Sequence, residues 1–344
     1  MPRRFAHRLA TAALGAAALA LAACGGSDGG GASSPNARPA PPSSPAIAAA
    51  ARPRLAEFPQ PRGRTLRELA DTLRPGPEAG LATSVYTPGR NRLAFGLIDG
   101  ANRFVYGRTA VYVARRPNAP ARGPFLAPAD SLEVRPAFRS QTSNSTPGEL
   151  KAIYRATVEL PRPGRWFVLT VTNLGGVRYG ATADVLVRRD SPIPTVGEPA
   201  PRVETPTLAS VGGQVERIDT RTPPTDMHDV SLADVLGRRP VALLFATPAL
   251  CQSRVCGPVA DIAEQLKAAY GDRVAFIHNE VYVENDPKRG LRPQLAAFGL
   301  QTEPWLFTID ARGRVAARLE GAFGVTEFRE AVEAALAGAP DGGA

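Results

Sequence analysis

The chain has 344 residues, of which 44% are hydrophobic and 21% charged. This length and apolar content allow two ordinary domains and exclude a wholly disordered chain. The formal net charge is +9, but nearly all the basic residues are arginines scattered along the chain, so we expect no nucleic-acid partner. Three cysteines are too few to staple a disulfide scaffold.

The first 23 residues have the pattern of an export signal. Met1 to Arg8 is short and basic, and residues 9–23 are a run of alanine, leucine and other small residues. That run is shorter than the roughly 20 residues of a membrane-spanning helix, so we predict a signal peptide over 1–23. Its end, Leu-Ala-Ala-Cys, resembles the lipobox of bacterial lipoproteins. The resemblance implies a lipid on Cys24 and an extracytoplasmic location on the bacterial membrane; an ordinary secretory signal is the alternative.

The stretch that follows, residues 24–64, is rich in glycine, serine, alanine and proline with isolated charges. This composition predicts a disordered spacer. Treated as a flexible coil, some 40 residues would span roughly 35 Å on average.

Residues 81–190 are predicted to form an all-β domain. Short runs of alternating apolar residues, such as Leu93, Phe95 and Leu97, are separated by turn residues. About seven such runs, without cysteine or a long helical period, favour an immunoglobulin-like β-sandwich. The region contains no histidine or methionine, so we expect a spacer or protein-binding role there rather than metal binding.

Residues 196–338 are predicted to form an α/β domain, in which strands and helices alternate. Residues 241–246 are a continuous apolar run, typical of a buried strand. Residues 259–270 keep helical spacing after Pro258, and Thr326 can cap a last helix that Gly338 ends.

The candidate chemistry lies at Cys251 and Cys256, where the buried strand ends and a helix begins. Unpaired N–H groups and partial positive charge at a helix start favour thiolate over thiol. Arg254 adds a cation between the two cysteines. This setting predicts a redox-active pair.

The domain resembles the thioredoxin-like, TlpA-like reductases found outside the cytoplasm. Residues 196–201, Val-Gly-Glu-Pro-Ala-Pro, resemble the entry to such domains, and Cys256-Gly257-Pro258 resembles the start of the Cys-Gly-Pro-Cys motif. Thr302-Glu303-Pro304 matches the cis-proline loop that faces the cysteines in this fold. The resemblance implies that Pro304 shapes the substrate groove, and Glu303 becomes a candidate supporting residue.

The chain departs from the thioredoxin pattern in two ways. The fourth motif position is Val259, and the position of the buried proton-transferring acid is Leu244. If Cys256 forms a disulfide within the chain, its partner must therefore be Cys251. Residues five apart on one helix lie too far apart for a disulfide, so we expect residues 252–255 to be loop or to unwind.

From these residues we predict a thiol-disulfide oxidoreductase in which Cys256 attacks and Cys251 resolves. Glu280, after a predicted strand that contains His278, is a further candidate supporting residue. The predicted partners are a protein disulfide substrate and a thiol redox protein, with no cofactor or metal. The alternatives are a redox-silent thioredoxin-like binding module and an atypical two-cysteine peroxiredoxin-like peroxidase.

Overall fold

The computed structural model describes residues 34–143, 150–251 and 255–338. The predicted signal peptide, Cys24 and Arg254 lie outside these ranges. Within them, none of the helices has both the length and the apolar character needed to cross a membrane.

Residues 34–73 pack against the rest of the molecule. They include helices α1 (Pro45–Ala50) and α2 (Leu66–Ala70), and Ser44 caps α1 by accepting a hydrogen bond from the N–H of Ile47. Ile47 and Ala50 are buried in the core of the β domain. The prediction of a disordered spacer over 24–64 is therefore wrong for residues 34–64, because isolated apolar side chains find buried positions that composition does not reveal.

The next region is a two-sheet sandwich. Its strands are β1 (Arg74–Pro75), β2 (Glu78–Leu81), β3 (Gly89–Ile98), β4 (Arg108–Ala114), β5 (Arg122–Ala127), β6 (Ala129–Ser131), β7 (Ala152–Leu160), β8 (Gly164–Leu174) and β9 (Val177–Val187). One sheet has the order β1-β9-β8-β4-β5 and the other β2-β3-β7-β6. Their inner faces share one core, in which Phe95 of β3 lies with Val111 of β4 and Val168 of β8. The alternating pattern thus identified a sandwich, and its immunoglobulin type stays a prediction.

The C-terminal region contains a four-stranded mixed sheet flanked by helices. Its elements are α3 (Leu232–Val235), β10 (Val241–Phe245), α4 (Cys256–Tyr270), β11 (Ala275–Asn279), α5 (Pro293–Ala297), β12 (Trp305–Ile309), β13 (Val315–Glu320) and α6 (Val325–Ala337). The strand order is β11-β10-β12-β13; β10 and β11 are parallel, and β12 is antiparallel to both of its neighbours. A βαβ unit followed by a hairpin and a helix is the thioredoxin-like fold that the sequence predicts.

Helices cover both faces of this sheet, which explains why β10 is buried throughout. On one face, Leu244 packs with Val259 of α4 and Phe328 of α6. On the other, Phe245 packs with Leu295 of α5 and Leu232 of α3. The connection from β10 to α4 consequently emerges at one edge of a rigid, fully packed layer.

The sandwich contacts the thioredoxin-like domain at the start of α6. Arg92 of β3 donates to both carboxylate oxygens of Glu327, at 2.7 and 2.8 Å, and to the carbonyls of Glu320 and Ala322. Asp130 of β6 accepts the N–H groups of Thr326 and Glu327, at 3.1 and 2.7 Å. Asp130 of the sandwich thus caps helix α6 of the thioredoxin-like domain.

Candidate redox site

The two cysteines lie on different structural elements. β10 ends at Phe245 and α4 begins at Cys256, with Val255 as its N-cap residue. Cys251 lies in the loop between them and is not helical. The spacing that would forbid a disulfide within one helix therefore does not apply to this pair.

The two cysteines are not joined by a disulfide in this structure, and they differ in exposure. Cys256 is 0% exposed, whereas Cys251 is partly exposed. The side chain of Cys256 hydrogen-bonds to Cys251, and the backbone N–H of Thr247 also donates to it. The structure therefore places the thiol of a partly exposed residue in direct contact with a second thiol in the core.

Burial raises the pKa of the Cys256 thiol well above its ordinary value. The hydrogen bond and charge of Cys251 raise this pKa further, as does the charge of Glu303, while the Thr247 N–H lowers it. The expected preference for thiolate at the helix start is thus wrong for Cys256, because desolvation outweighs the helix-start effect.

The predicted proline loop adjoins the cysteine loop. The Glu303–Pro304 peptide bond is cis, as the resemblance implies, and Pro304 is buried directly before β12. Because Trp305 pairs with Phe245, the start of β12 lies beside the end of β10. The sheet register thereby brings the loop of Pro304 to the edge from which Cys251 emerges.

Glu303 and Tyr282 lie close enough to the sulfurs to interact with them electrostatically. Burial raises the pKa of the Glu303 carboxyl, and the charge of Cys251 raises it further. The pKa of Tyr282 is raised by burial and then by the charges of Glu303 and the two cysteines. The sequence analysis singled out Glu303 but not Tyr282, whose position in the sequence gives no sign that it lies near the cysteines.

Glu280 reaches the cysteine loop through Thr220. Its Oε1 accepts the Thr220 N–H at 2.8 Å and hydroxyl at 2.6 Å, and Thr220 Oγ1 accepts the N–H of Ala249 at 3.1 Å. Burial raises the pKa of Glu280, opposed by the charge of His278 and by the Thr220 hydrogen bonds. Glu280 is thus connected through Thr220 to the loop residue two positions before Cys251.

A buried cluster of two histidines and an aspartate lies behind this loop. Asp219, His228 and His278 have candidate ligand atoms within 4.8 Å of one another, and His278 Nε2 lies 3.0 Å from the carbonyl oxygen of Ala246. Burial lowers the pKa of His278, but the charge of Asp219 outweighs it, so the pKa rises to about 9. Sequence reasoning missed Asp219 and His228 because they lie in an irregular segment without hydrophobic period.

A cleft of about 440 Å³ opens between the two domains beside the cysteine loop. Val255 and Glu303 line it from the thioredoxin-like side, and Ala82, Ile98 and Phe104 line it from the sandwich. The wall beside the cysteine loop is therefore partly built by the sandwich domain.

Neither a protein-family model nor a curated protein matches this chain. Among solved structures, the chain is similar to a thioredoxin-like superfamily protein, with 19% identity over 33% of this chain and 89% of the other and a TM-score of 0.26. It is also similar to a thiol:disulfide interchange protein of the thioredoxin family from Chlorobium tepidum TLS. There the identity is 19% over 41% of this chain and 98% of the other, with a TM-score of 0.29.

Proposed function

We propose that the chain exchanges disulfides with protein substrates through Cys251 and Cys256. The supporting observation is the contact between a partly exposed thiol and a buried one, beside the loop of the cis-proline Pro304. An exposed sulfur can meet a protein disulfide, and a buried neighbour can release the product.

The difference in exposure favours Cys251 as the attacking group and Cys256 as the resolving one, the reverse of the order predicted from the sequence. The Cys251 thiolate forms a bond to one substrate sulfur, the substrate disulfide breaks, and the released thiolate takes a proton. Cys256 then loses its proton and bonds to Cys251, which breaks the mixed disulfide and frees the second substrate thiol. The substrate gains two electrons and the protein is left with a Cys251–Cys256 disulfide, which a thiol redox protein reduces. The same steps in reverse oxidise a dithiol.

Glu303 is the proposed acceptor of the Cys256 proton. Its charge acts on Cys256, and its own raised pKa makes it a better base than an ordinary surface carboxylate. It would take over the task of the acid that is absent at Leu244.

The proposed location is extracytoplasmic, with a lipid on Cys24 holding the chain to the bacterial membrane. This part of the proposal rests on the Leu-Ala-Ala-Cys sequence alone. Replacement by Cys24→Ser should move the chain from the membrane fraction to the soluble extracytoplasmic fraction, whereas unchanged membrane association would contradict lipid attachment.

Trapping of mixed disulfides tests the redox proposal. Cys256→Ser should accumulate a mixed disulfide between Cys251 and a protein substrate, and Cys251→Ser should not react. The double variant serves as the control for non-specific capture. If Cys251→Ser alone traps substrate, the two roles are exchanged; if neither variant does, the chain is a redox-silent binding module, for which the cleft between the domains is the candidate surface.

A further inference from the structure

The cluster of Asp219, His228 and His278 lies outside the proposed redox chemistry. The chain contains three histidines, and His7 falls in the predicted signal peptide. Both of the others converge on Asp219 with exposures of 3% for His228 and 0% for His278. Both histidines outside the predicted signal peptide therefore lie with one aspartate in a single buried cluster.

The orientation of His278 leaves a lone pair directed at a carboxylate. Its Nε2 lies 3.0 Å from the Ala246 carbonyl oxygen, so this nitrogen carries the hydrogen. The other nitrogen, Nδ1, lies 3.5 Å from Asp219 Oδ2. When the ring is neutral, that nitrogen and the carboxylate oxygen are both acceptors, so either a proton or a metal ion has to lie between them.

Asp219 Oδ2 has more donors around it than one oxygen can accept. It receives the Thr225 N–H at 2.7 Å and the Thr225 hydroxyl at 2.8 Å. His228 Nε2 is 3.0 Å away and His278 Nδ1 is 3.5 Å away. If a proton on His278 Nδ1 fills the gap, that nitrogen becomes a fourth donor to this oxygen, and four donors exceed its lone pairs. A metal ion relieves the excess because both imidazole nitrogens become ligands instead of donors.

The spacing and the surrounding hydrogen bonds fit a tetrahedral divalent metal. Ligand bonds of about 2.0–2.1 Å place neighbouring donor atoms about 3.3 Å apart, and the observed separations of 3.0 and 3.5 Å bracket that value. Thr225 Oγ1, at 2.8 Å from Asp219 Oδ2 and 3.2 Å from His228 Nε2, supplies a fourth donor.

The outer hydrogen bond of His278 is also that of a metal ligand, whereas Nδ1 of His228 is buried without a hydrogen-bond partner. Metal-binding histidines commonly donate their second nitrogen to a carbonyl, as His278 does. The other oxygen of Asp219 accepts the Arg221 N–H at 2.8 Å, which fixes the carboxylate. Glu280 interacts electrostatically with His278 and contributes a second negative charge close to the ion.

We infer that Asp219, His228 and His278 form a structural site for a zinc-like divalent metal ion. Two nitrogen ligands with oxygen donors suit such an ion. A closed, buried site is loaded as the chain folds and stabilises the folded state. Through His278 and the carbonyl of Ala246, the ion fixes the end of β10, from which the cysteine loop starts. The inference does not depend on the proposed redox function.

Metal analysis of the full chain, purified without chelators, is the direct test. We expect stoichiometric zinc by mass spectrometry. The chain refolded with Co²⁺ should show the visible ligand-field bands of a tetrahedral site, without the near-ultraviolet sulfur-to-cobalt charge-transfer band that thiolate ligands give. This measurement on the unaltered chain does not depend on the folding of any variant.

Variants then assign the ligands. Asp219→Asn and His278→Gln should lose the metal, whereas the double replacement Cys251→Ser with Cys256→Ser should retain it. Asp130→Asn is the matched control, since Asp130 is also a buried carboxylate that accepts backbone N–H groups, at the start of α6. A chain that folds without metal and gives no tetrahedral cobalt spectrum would overturn the inference and leave an imidazolium–carboxylate pair. Metal that depends on the cysteines would overturn it as well.

Discussion

At the scale of single residues, the contrast between Cys251 and Cys256 determines the proposed chemistry. A thiol that is buried and faces negative charge has a raised pKa, and an exposed thiol is free to meet a protein substrate. The proposed order of attack is therefore based on desolvation and not on distance from the helix start. This is why the order of attack derived from sequence position differs from the one that burial favours.

Replacing Glu303 separates its electrostatic effect from its proposed role in proton transfer. In a Cys251→Ser background, Glu303→Gln should move the thiolate absorbance titration of Cys256 to lower pH, because the carboxylate no longer opposes the thiolate charge. In the chain with both cysteines, the same change should slow formation of the Cys251–Cys256 disulfide, because the proton acceptor is lost.

The control is Glu204→Gln, which removes an exposed carboxylate from another part of the domain. It should leave both readouts unchanged. A Glu303→Gln chain that forms its disulfide at the normal rate would contradict the role in proton transfer, even if the titration moved.

The residues that could be found from the sequence were those with a local signature. Cys251 and Cys256 are the two cysteines outside the signal region, and Pro304 lies before an apolar strand. Asp219, Thr220 and His228 have no such signature, because their positions depend on how an irregular segment folds back over β11. His278 gave a partial signal, since an imidazole inside a fully buried strand requires a polar partner.

At the scale of elements, the loop before α4 is connected to the end of β11 by hydrogen bonds from Ala249 to Thr220 and from Thr220 to Glu280. Thr220→Val should remove the acceptor of the Ala249 N–H and the hydroxyl donor to Glu280. Each lost hydrogen bond costs about 1 kcal/mol. A loosened loop should also lower the fraction of Cys251–Cys256 disulfide at a fixed ratio of reduced to oxidised glutathione.

The matched control for this change is Thr195→Val, because Thr195 contacts Glu198 through its backbone N–H and not its hydroxyl. It should keep the wild-type disulfide fraction. A destabilised Thr220→Val chain with an unchanged disulfide fraction would show that Thr220 supports the fold without positioning the loop.

The connection from β13 to α6 depends on a glycine. Gly321 has φ of +70°, and a Cβ there would overlap the carbonyl oxygen of Ala82 in the sandwich. Gly321→Ala should therefore cost several kcal/mol, combining about 1 kcal/mol for the left-handed backbone with the steric conflict. Chemical denaturation measures this loss.

Gly313→Ala is the control for the backbone contribution alone. Gly313 has φ of +82°, but the nearest heavy atom would lie 3.5 Å from its Cβ. It should cost about 1 kcal/mol. Equal losses for the two alanine variants would mean that the sandwich can move away from Gly321 without penalty.

Elements with strong periodicity could be predicted, and elements stabilised by tertiary contacts could not. The apolar run of β10 and the spacing of α4 identified the core of the C-terminal domain. Helix α1 has only six residues, too few to be stable alone, and it exists because Ile47 and Ala50 fit into the sandwich.

At the scale of the whole molecule, Arg92 links the two domains. Its guanidinium satisfies a carboxylate and two carbonyls of the other domain, and it is 16% exposed. Arg92→Met should cost about 3 kcal/mol, because it leaves the Glu327 carboxylate without its cation. Denaturation followed separately through each domain should then show two transitions instead of one.

Arg155→Met is the control, because its partner Glu330 is 47% exposed. This change should cost no more than about 1 kcal/mol and leave a single transition. Two transitions already present in the unaltered chain would show that the domains unfold independently.

Under the proposed lipid attachment at Cys24, the packing of residues 34–64 also limits how far the proposed redox site can lie from the bilayer. With a lipid on Cys24, only residues 24–33 separate the anchor from the first described residue. Ten residues reach at most about 35 Å when fully extended. Forty fully extended residues would reach about four times as far. Gln265 of α4 donates to the carbonyls of Asn36 and Arg38 at 3.0 Å, so the chain enters the body of the protein on the helix that begins with Cys256. The proposed lipid anchor would therefore restrict the proposed exchange to disulfides close to the membrane surface.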